Sequence, residues 1–158
     1  MTVTISLNAE AINNLDLSPA QQVIDKLLQD NSNTAYEQQL SFDIDYPRDP
    51  SDPRELSEIP EIRLWFVRLD VHYPWLPLII DGKSGELYRY IAMLVPHQFS
   101  RAEGIQYNPE ALEILVMEKI FAIAMWLKSR NTSSTSRLKL FSQALGYEID
   151  DSFFALLS

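Results

Sequence analysis

Residues 60–98 read PEIRLWFVRLDVHYPWLPLIIDGKSGELYRYIAMLVPHQ. Both histidines, His72 and His97, and two of the three tryptophans, Trp65 and Trp75, lie in this stretch, and Arg68, Asp70 and Arg89 interrupt its apolar runs. Large aromatics beside isolated charges fit a core with paired polar groups, a binding surface or an active site. The first third of the stretch decides the fold. Taken as a strand, residues 61–73 put Trp65, Val67, Leu69 and Val71 on one face, with Leu64, Phe66, Arg68 and Asp70 on the other. Taken as a helix, they line Ile62, Trp65, Phe66, Leu69 and Tyr73 on one stripe. Their β-branched and aromatic content favours the strand. Further on, Pro74 and Pro77 break regular structure around Trp75, and Ser84 opens a helix that Pro96 closes.

Upstream, residues 36–46 (YEQQLSFDIDY) alternate cleanly, with Leu40, Phe42, Ile44 and Tyr46 on one side and Asp43 and Asp45 among the polar residues opposite. This is a strand with one wet face, and residues 61–73 are its expected partner. Residues 2–7 (TVTISL) form another strand, and Ser18-Pro19 starts a helix carrying Val23, Ile24, Leu27 and Leu28 on one face. Residues 31–34 are a loop. Residues 47–60 hold four prolines and the acids Asp49, Asp52, Glu55 and Glu58, which makes a stiff, exposed connector with at most one helical turn near residues 55–58. Downstream, Asn108-Pro109 begins a long helix in which only Glu118 and Lys119 are polar between Ile114 and Leu127, so it is expected to be buried on most sides. A further helix over about residues 137–145 ends at Gly146, and Asp150 caps a last short one. The expected class is α+β: a small antiparallel sheet packed against a helical core built on the 108–128 helix. It forms one domain over residues 1–158, with strands in about 1–73 and helices in about 84–158.

The bulk properties narrow the function. A chain of 158 residues buries roughly two-thirds of its extended surface and needs no covalent staple. With no cysteine, it has no disulfide, thiolate metal site or cysteine nucleophile. The N-terminus lacks the basic and apolar regions of a secretory signal and the arginine-rich character of a transit peptide. No apolar run is long enough to span a bilayer. The net charge is −9, and it is uneven: residues 1–61 hold twelve acids against three bases, whereas residues 62–158 hold ten of each. Such a surface repels nucleic acid and can steer a basic partner, or it serves solubility alone. The two short helices around Gly146 suggest a helix-turn-helix, but the second begins Asp150-Asp151, the wrong charge for a DNA reader.

Four glycines leave no phosphate-cradling loop, and no serine sits in a nucleophile elbow. Asp70, His72 and His97 are the best enzymatic set. On a strand, Asp70 and His72 would share a face, and His97 could complete a three-ligand metal site for a small-molecule enzyme. Against that, Arg68 stands two residues from Asp70 as an ion-pair partner. Trp75, held between prolines, reads as an exposed interface anchor.

The runs YEQQLSFDIDYPRDPSDPRELSEIPEIRLWFVRLD, YPWLPLIID, GELYRYIAMLVPHQFS, GIQYNPEALEILVMEKIF and ALGYEIDDSFF resemble the chlororespiratory reduction family, type six. The resemblance covers about residues 36–157 and departs at Gly82, where an aromatic often follows the position of Asp81. It implies a non-enzymatic assembly factor, without a cofactor, for the photosynthetic NAD(P)H dehydrogenase-like complex NDH-1. The implied partner is the ferredoxin-like iron–sulfur subunit of the peripheral arm. Together with the N-terminus it implies the cyanobacterial form, working in the cytoplasm. The expected protein contacts are Arg68, Asp70, Trp75, Arg89, His97 and Gln98, with the acidic N-terminal surface beside them.

Overall fold

In the computed structural model, which describes residues 2–29, 39–132 and 135–157, the element that decides the fold is a helix. Helix α3 spans Pro60–His72, following β1 (Thr2–Asn8), α1 (Ala9–Asn13), α2 (Ser18–Gln29) and β2 (Gln39–Asp45). The strand expected over residues 61–73 is therefore corrected. Pro60 occupies the first helical position, where its missing N–H costs nothing and its fixed φ is already helical. The buried residues Ile62, Trp65, Phe66 and Leu69 then recur with helical spacing. Burying each of these large side chains is worth about 1.5–3 kcal/mol, which outweighs the few tenths by which strand propensity favoured the alternative.

Without that partner, β2 pairs with β1 instead, in parallel, from Thr2 opposite Gln39 to Asn8 opposite Asp45. Parallel strands need a crossover, and α1 and α2 lie within it. Asn8 ends β1 and caps α1, its Oδ1 accepting from the Ala11 N–H at 2.8 Å. On its other edge β2 takes a single bridge: the Leu40 N–H donates to the Ile79 carbonyl at 2.7 Å, and the Asp81 N–H donates to the Leu40 carbonyl at 2.9 Å. Asp43 and Asp45 face solvent, as the alternation requires. Residues 31–34 and the first three of the 36–46 stretch lie outside the described residues.

The antiparallel sheet is a hairpin further along. After a 3-10 turn at Leu56–Glu58 and another at Leu76–Leu78 come α4 (Glu86–Leu94), β3 (His97–Ser100) and β4 (Gly104–Tyr107), with His97 opposite Tyr107 and Ser100 opposite Gly104. Gly85 caps α4 at φ 83, a left-handed conformation that glycine adopts without a Cβ penalty. Helices α5 (Pro109–Ser129), α6 (Thr135–Ala144) and α7 (Asp151–Leu157) complete the α+β fold.

Asn108 caps α5 as the sequence indicated, accepting from the N–H groups of Glu110 and Ala111, both at 3.1 Å. The helix is less enclosed than expected. Its buried stripe is Leu112, Val116, Lys119, Ile120, Ile123 and Leu127, whereas Ile114, Phe121 and Met125 are exposed. On that outer side, Phe121 makes an edge contact with Phe153 of α7. At the centre, Phe42, Trp65, Phe66 and Tyr90 pack edge to face, with centroids 4.9–6.4 Å apart. The one polar atom of the Trp65 side chain is satisfied: its indole N–H donates to the Asp16 carbonyl at 2.8 Å.

Candidate functional site

Three polar centres thread through this core. Each contains a residue that the sequence marked as functional.

The first joins α3, α4 and α5. Lys119 Nζ donates to both carboxylate oxygens of Asp70 at 2.6 Å, and the Tyr90 hydroxyl donates to Asp70 Oδ1 at 2.6 Å. The Lys119 side chain is 1% exposed and that of Asp70 18%. Burial, followed by the neighbouring carboxylate, pushes the Tyr90 phenol well above its ordinary value. The expected Arg68–Asp70 pair does not form. On a helix, residues two apart leave in nearly opposite directions, so Asp70 turns toward α5 while Arg68 stays in solvent.

The second centre pins the acidic connector to α4. Arg89 donates from Nε to Glu55 Oε1 at 2.8 Å and from Nη1 to Glu86 Oε2 at 3.3 Å. Glu55 also caps the first 3-10 turn, its Oε2 accepting from the Ser57 N–H at 2.7 Å. Burial pushes the Glu55 carboxyl up, but the Ser57 N–H and the Arg89 guanidinium outweigh it and leave the group below its ordinary value. Glu86 goes the other way. Burial holds it above its ordinary value despite Arg89, and the charge of Glu55 adds to the rise.

The third centre is the buried imidazole of His97. Its Nδ1 lies 3.1 Å from the Val95 carbonyl, which only accepts, so Nδ1 carries the proton. Its Nε2 faces the Ser57 hydroxyl at 3.1 Å and the Glu58 carboxylate. A serine, a histidine and an acid thus meet, but Ser57 and the His97 ring are sealed from solvent and no acyl substrate can reach the hydroxyl. The cluster fastens the connector to β3. Asp49 and Asp52 stiffen the same connector by accepting from the Ser51 and Arg54 N–H groups at 2.8 and 3.0 Å. Local hydrogen bonds thus brace the connector alongside its prolines.

The remaining marked residues separate by exposure. Trp75 is 6% exposed, with its ring stacked on Trp126 at 4.2 Å and 11°, so the anchor expected in solvent is a packing residue. Gln98 is exposed on β3 opposite Gln106. His72 is exposed on the last turn of α3. Asp70, His72 and His97 have separate surroundings, and among the described residues no group of three histidines or acids could hold a metal ion.

Two features escaped the sequence reading. Lys119 is one; its signal was a lone ammonium in an apolar helix, matched by a lone carboxylate in an apolar run. The other is the outer face of α3, where Leu64, Val67 and Val71 are exposed. Their signal was that both faces of residues 61–73 are apolar.

The family model for chlororespiratory reduction 6 matches residues 7–156. The chain belongs to that family. The family is associated with assembly of the NDH complex, and the match spans all three polar centres and α3. No solved structure matches the chain. Among the described residues, no helix is long and apolar enough to cross a membrane.

Proposed function

We propose that this protein is a non-enzymatic assembly factor that binds the ferredoxin-like iron–sulfur subunit of the NDH-1 peripheral arm and holds it during maturation. Family membership over residues 7–156 is the observation that carries this reading. The chemistry of the chain suits it. A protein without cysteine offers no thiolate to compete for iron or sulfide while a client receives its clusters. Apart from Glu58 Oε1, which is buried against His97 without a hydrogen bond, the polar side chains at the three centres have partners, so the centres serve as a frame for a surface. Of the six residues expected to contact the client, Arg68 and Gln98 are exposed and the Arg89 side chain is one-third exposed, whereas Asp70, Trp75 and His97 position the elements around them. The cytoplasm of a cyanobacterium is the setting this reading implies.

Titration of the purified chain against the purified iron–sulfur subunit tests the proposal. A saturable complex is expected, stronger with the cluster-free subunit than with the loaded one. Equal or absent binding to both forms would contradict it.

A further inference from the structure

Helix α3 is apolar on two opposite faces. The inner one fills the core; the outer one carries Leu64, Val67 and Val71, exposed by 47%, 40% and 76%. Spacings of three and four put these side chains on one line along the helix. A helix that is apolar all round is ordinarily covered on both sides.

The charges beside the stripe say what covers it. Arg63 precedes Leu64 and Arg68 follows Val67, so at 100° per residue the two side chains leave along opposite edges of the stripe. Among the described residues, neither guanidinium has an ion-pair or hydrogen-bond partner. In heptad terms Leu64, Val67 and Val71 occupy the seam, and the arginines stand at the flanking positions that select a partner by charge.

We propose that this face docks an amphipathic helix of a partner protein whose apolar side meets Leu64, Val67 and Val71 and whose edges carry carboxylates facing Arg63 and Arg68. The proposal rests on the assembly-factor reading, with the iron–sulfur subunit as the partner.

A second copy of the chain fits less well. Parallel self-pairing sets Arg63 against Arg68. Antiparallel self-pairing sets Leu64 against Val67, but Val71 then falls opposite Pro60, where the helix begins. That leaves two apolar layers, far short of the roughly 800 Å² per partner of a stable interface. The carboxylate that would answer Arg63 in this arrangement is Asp70, which Lys119 and Tyr90 already hold. An anionic bilayer is opposed by Asp49, Asp52, Glu55, Glu58 and Glu61 leading into the helix, and by a net charge of −9.

Two variants of the full chain, Val71→Asp and Arg63→Glu/Arg68→Glu, test the docking face by titration against the purified subunit, with thermal melts confirming that each still folds. Both are expected to bind roughly thirtyfold more weakly than the wild type, the loss typical of an interface hot spot. The charge reversal should also flatten the salt dependence of binding. Variants that bind as the wild type does would overturn the docking face and leave the assembly reading standing. A wild-type chain that does not bind the subunit overturns that reading and the docking face with it. Two other results would overturn the docking face alone: a solution dimer that Val71→Asp dissolves, pointing to self-association, or flotation on vesicles of phosphatidylcholine and phosphatidylglycerol that Val71→Asp abolishes, pointing to lipid.

Discussion

Replacing Asp70 by alanine removes the carboxylate that lies 2.6 Å from Lys119 Nζ through both oxygens, together with the acceptor of the Tyr90 hydroxyl. The burial of the pair makes the two halves unequal. Lys119 is 1% exposed and has nowhere to take its charge, whereas Asp70 at 18% keeps some contact with water. An ammonium left unpaired in the core costs about 3–5 kcal/mol, and a hydroxyl without its acceptor about 1–3. Water entering through the gap left by Asp70 offsets part of that, so Asp70→Ala is expected to cost about 4 kcal/mol. Lys119→Met should cost only about 1–2 kcal/mol, because Asp70 retains Tyr90 and partial hydration. The double variant leaves only the Tyr90 hydroxyl unmet and should be more stable than Asp70→Ala alone. Urea denaturation measures all three. With a slope of about 2 kcal/mol per molar urea, Asp70→Ala lowers the midpoint by about 2 M. A drop below about 0.5 M, or a double variant as unstable as the two losses added, would refute the reasoning.

Trp75→Ala should destabilise the fold by about 3–5 kcal/mol in thermal or urea unfolding, because it empties a buried stack on Trp126; unchanged stability with lost client binding would make Trp75 a contact after all. Because the folded Glu86 carboxyl titrates above its unfolded value, its favourable contribution is present at acid pH and lost as pH rises through the folded pKa. Melting temperatures of Glu86→Gln relative to wild type should therefore improve between about pH 4 and pH 7, whereas Glu55→Gln, at a carboxyl held low, should compare worst at neutral pH. Burial first, and then its bond to Asp25, push the Tyr73 phenol up to about 12. Ultraviolet titration should lose a transition near that pH in Tyr73→Phe and move it down in Asp25→Asn.

Proline marks the start of the three helices α2, α3 and α5 in this chain. The Ser18-Pro19 and Asn108-Pro109 pairs were legible because a residue of a type that favours helix starts precedes each proline, although only Asn108 caps its helix and Ser18 is the first residue of α2. Pro60 follows Ile59, which offers no side-chain cap, so the same mark carried less weight. The apolar outer stripe of α3 then satisfied a period of two as well as a period of 3.6, and β-branched content tipped the reading the wrong way. That error removed the partner of β2 and hid its parallel pairing with β1. The β3–β4 hairpin was hidden by its size: strands of four residues, with Gln98, Ser100 and Gln106 among them, leave too short a pattern to read. The polar centres were half legible. Asp70, Arg89 and His97 stood out as charges among apolar residues, but their partners Lys119, Glu55 and Glu58 lie 49, 34 and 39 residues away. Composition and spacing carry no information about pairings that only packing creates.

The most direct test of the assembly reading is deletion of the gene followed by native-gel analysis of the dehydrogenase complex. The account predicts loss of the full complex, accumulation of a form lacking the peripheral arm, and recovery when the gene is restored. A full complex at normal abundance in the deletion strain would contradict it.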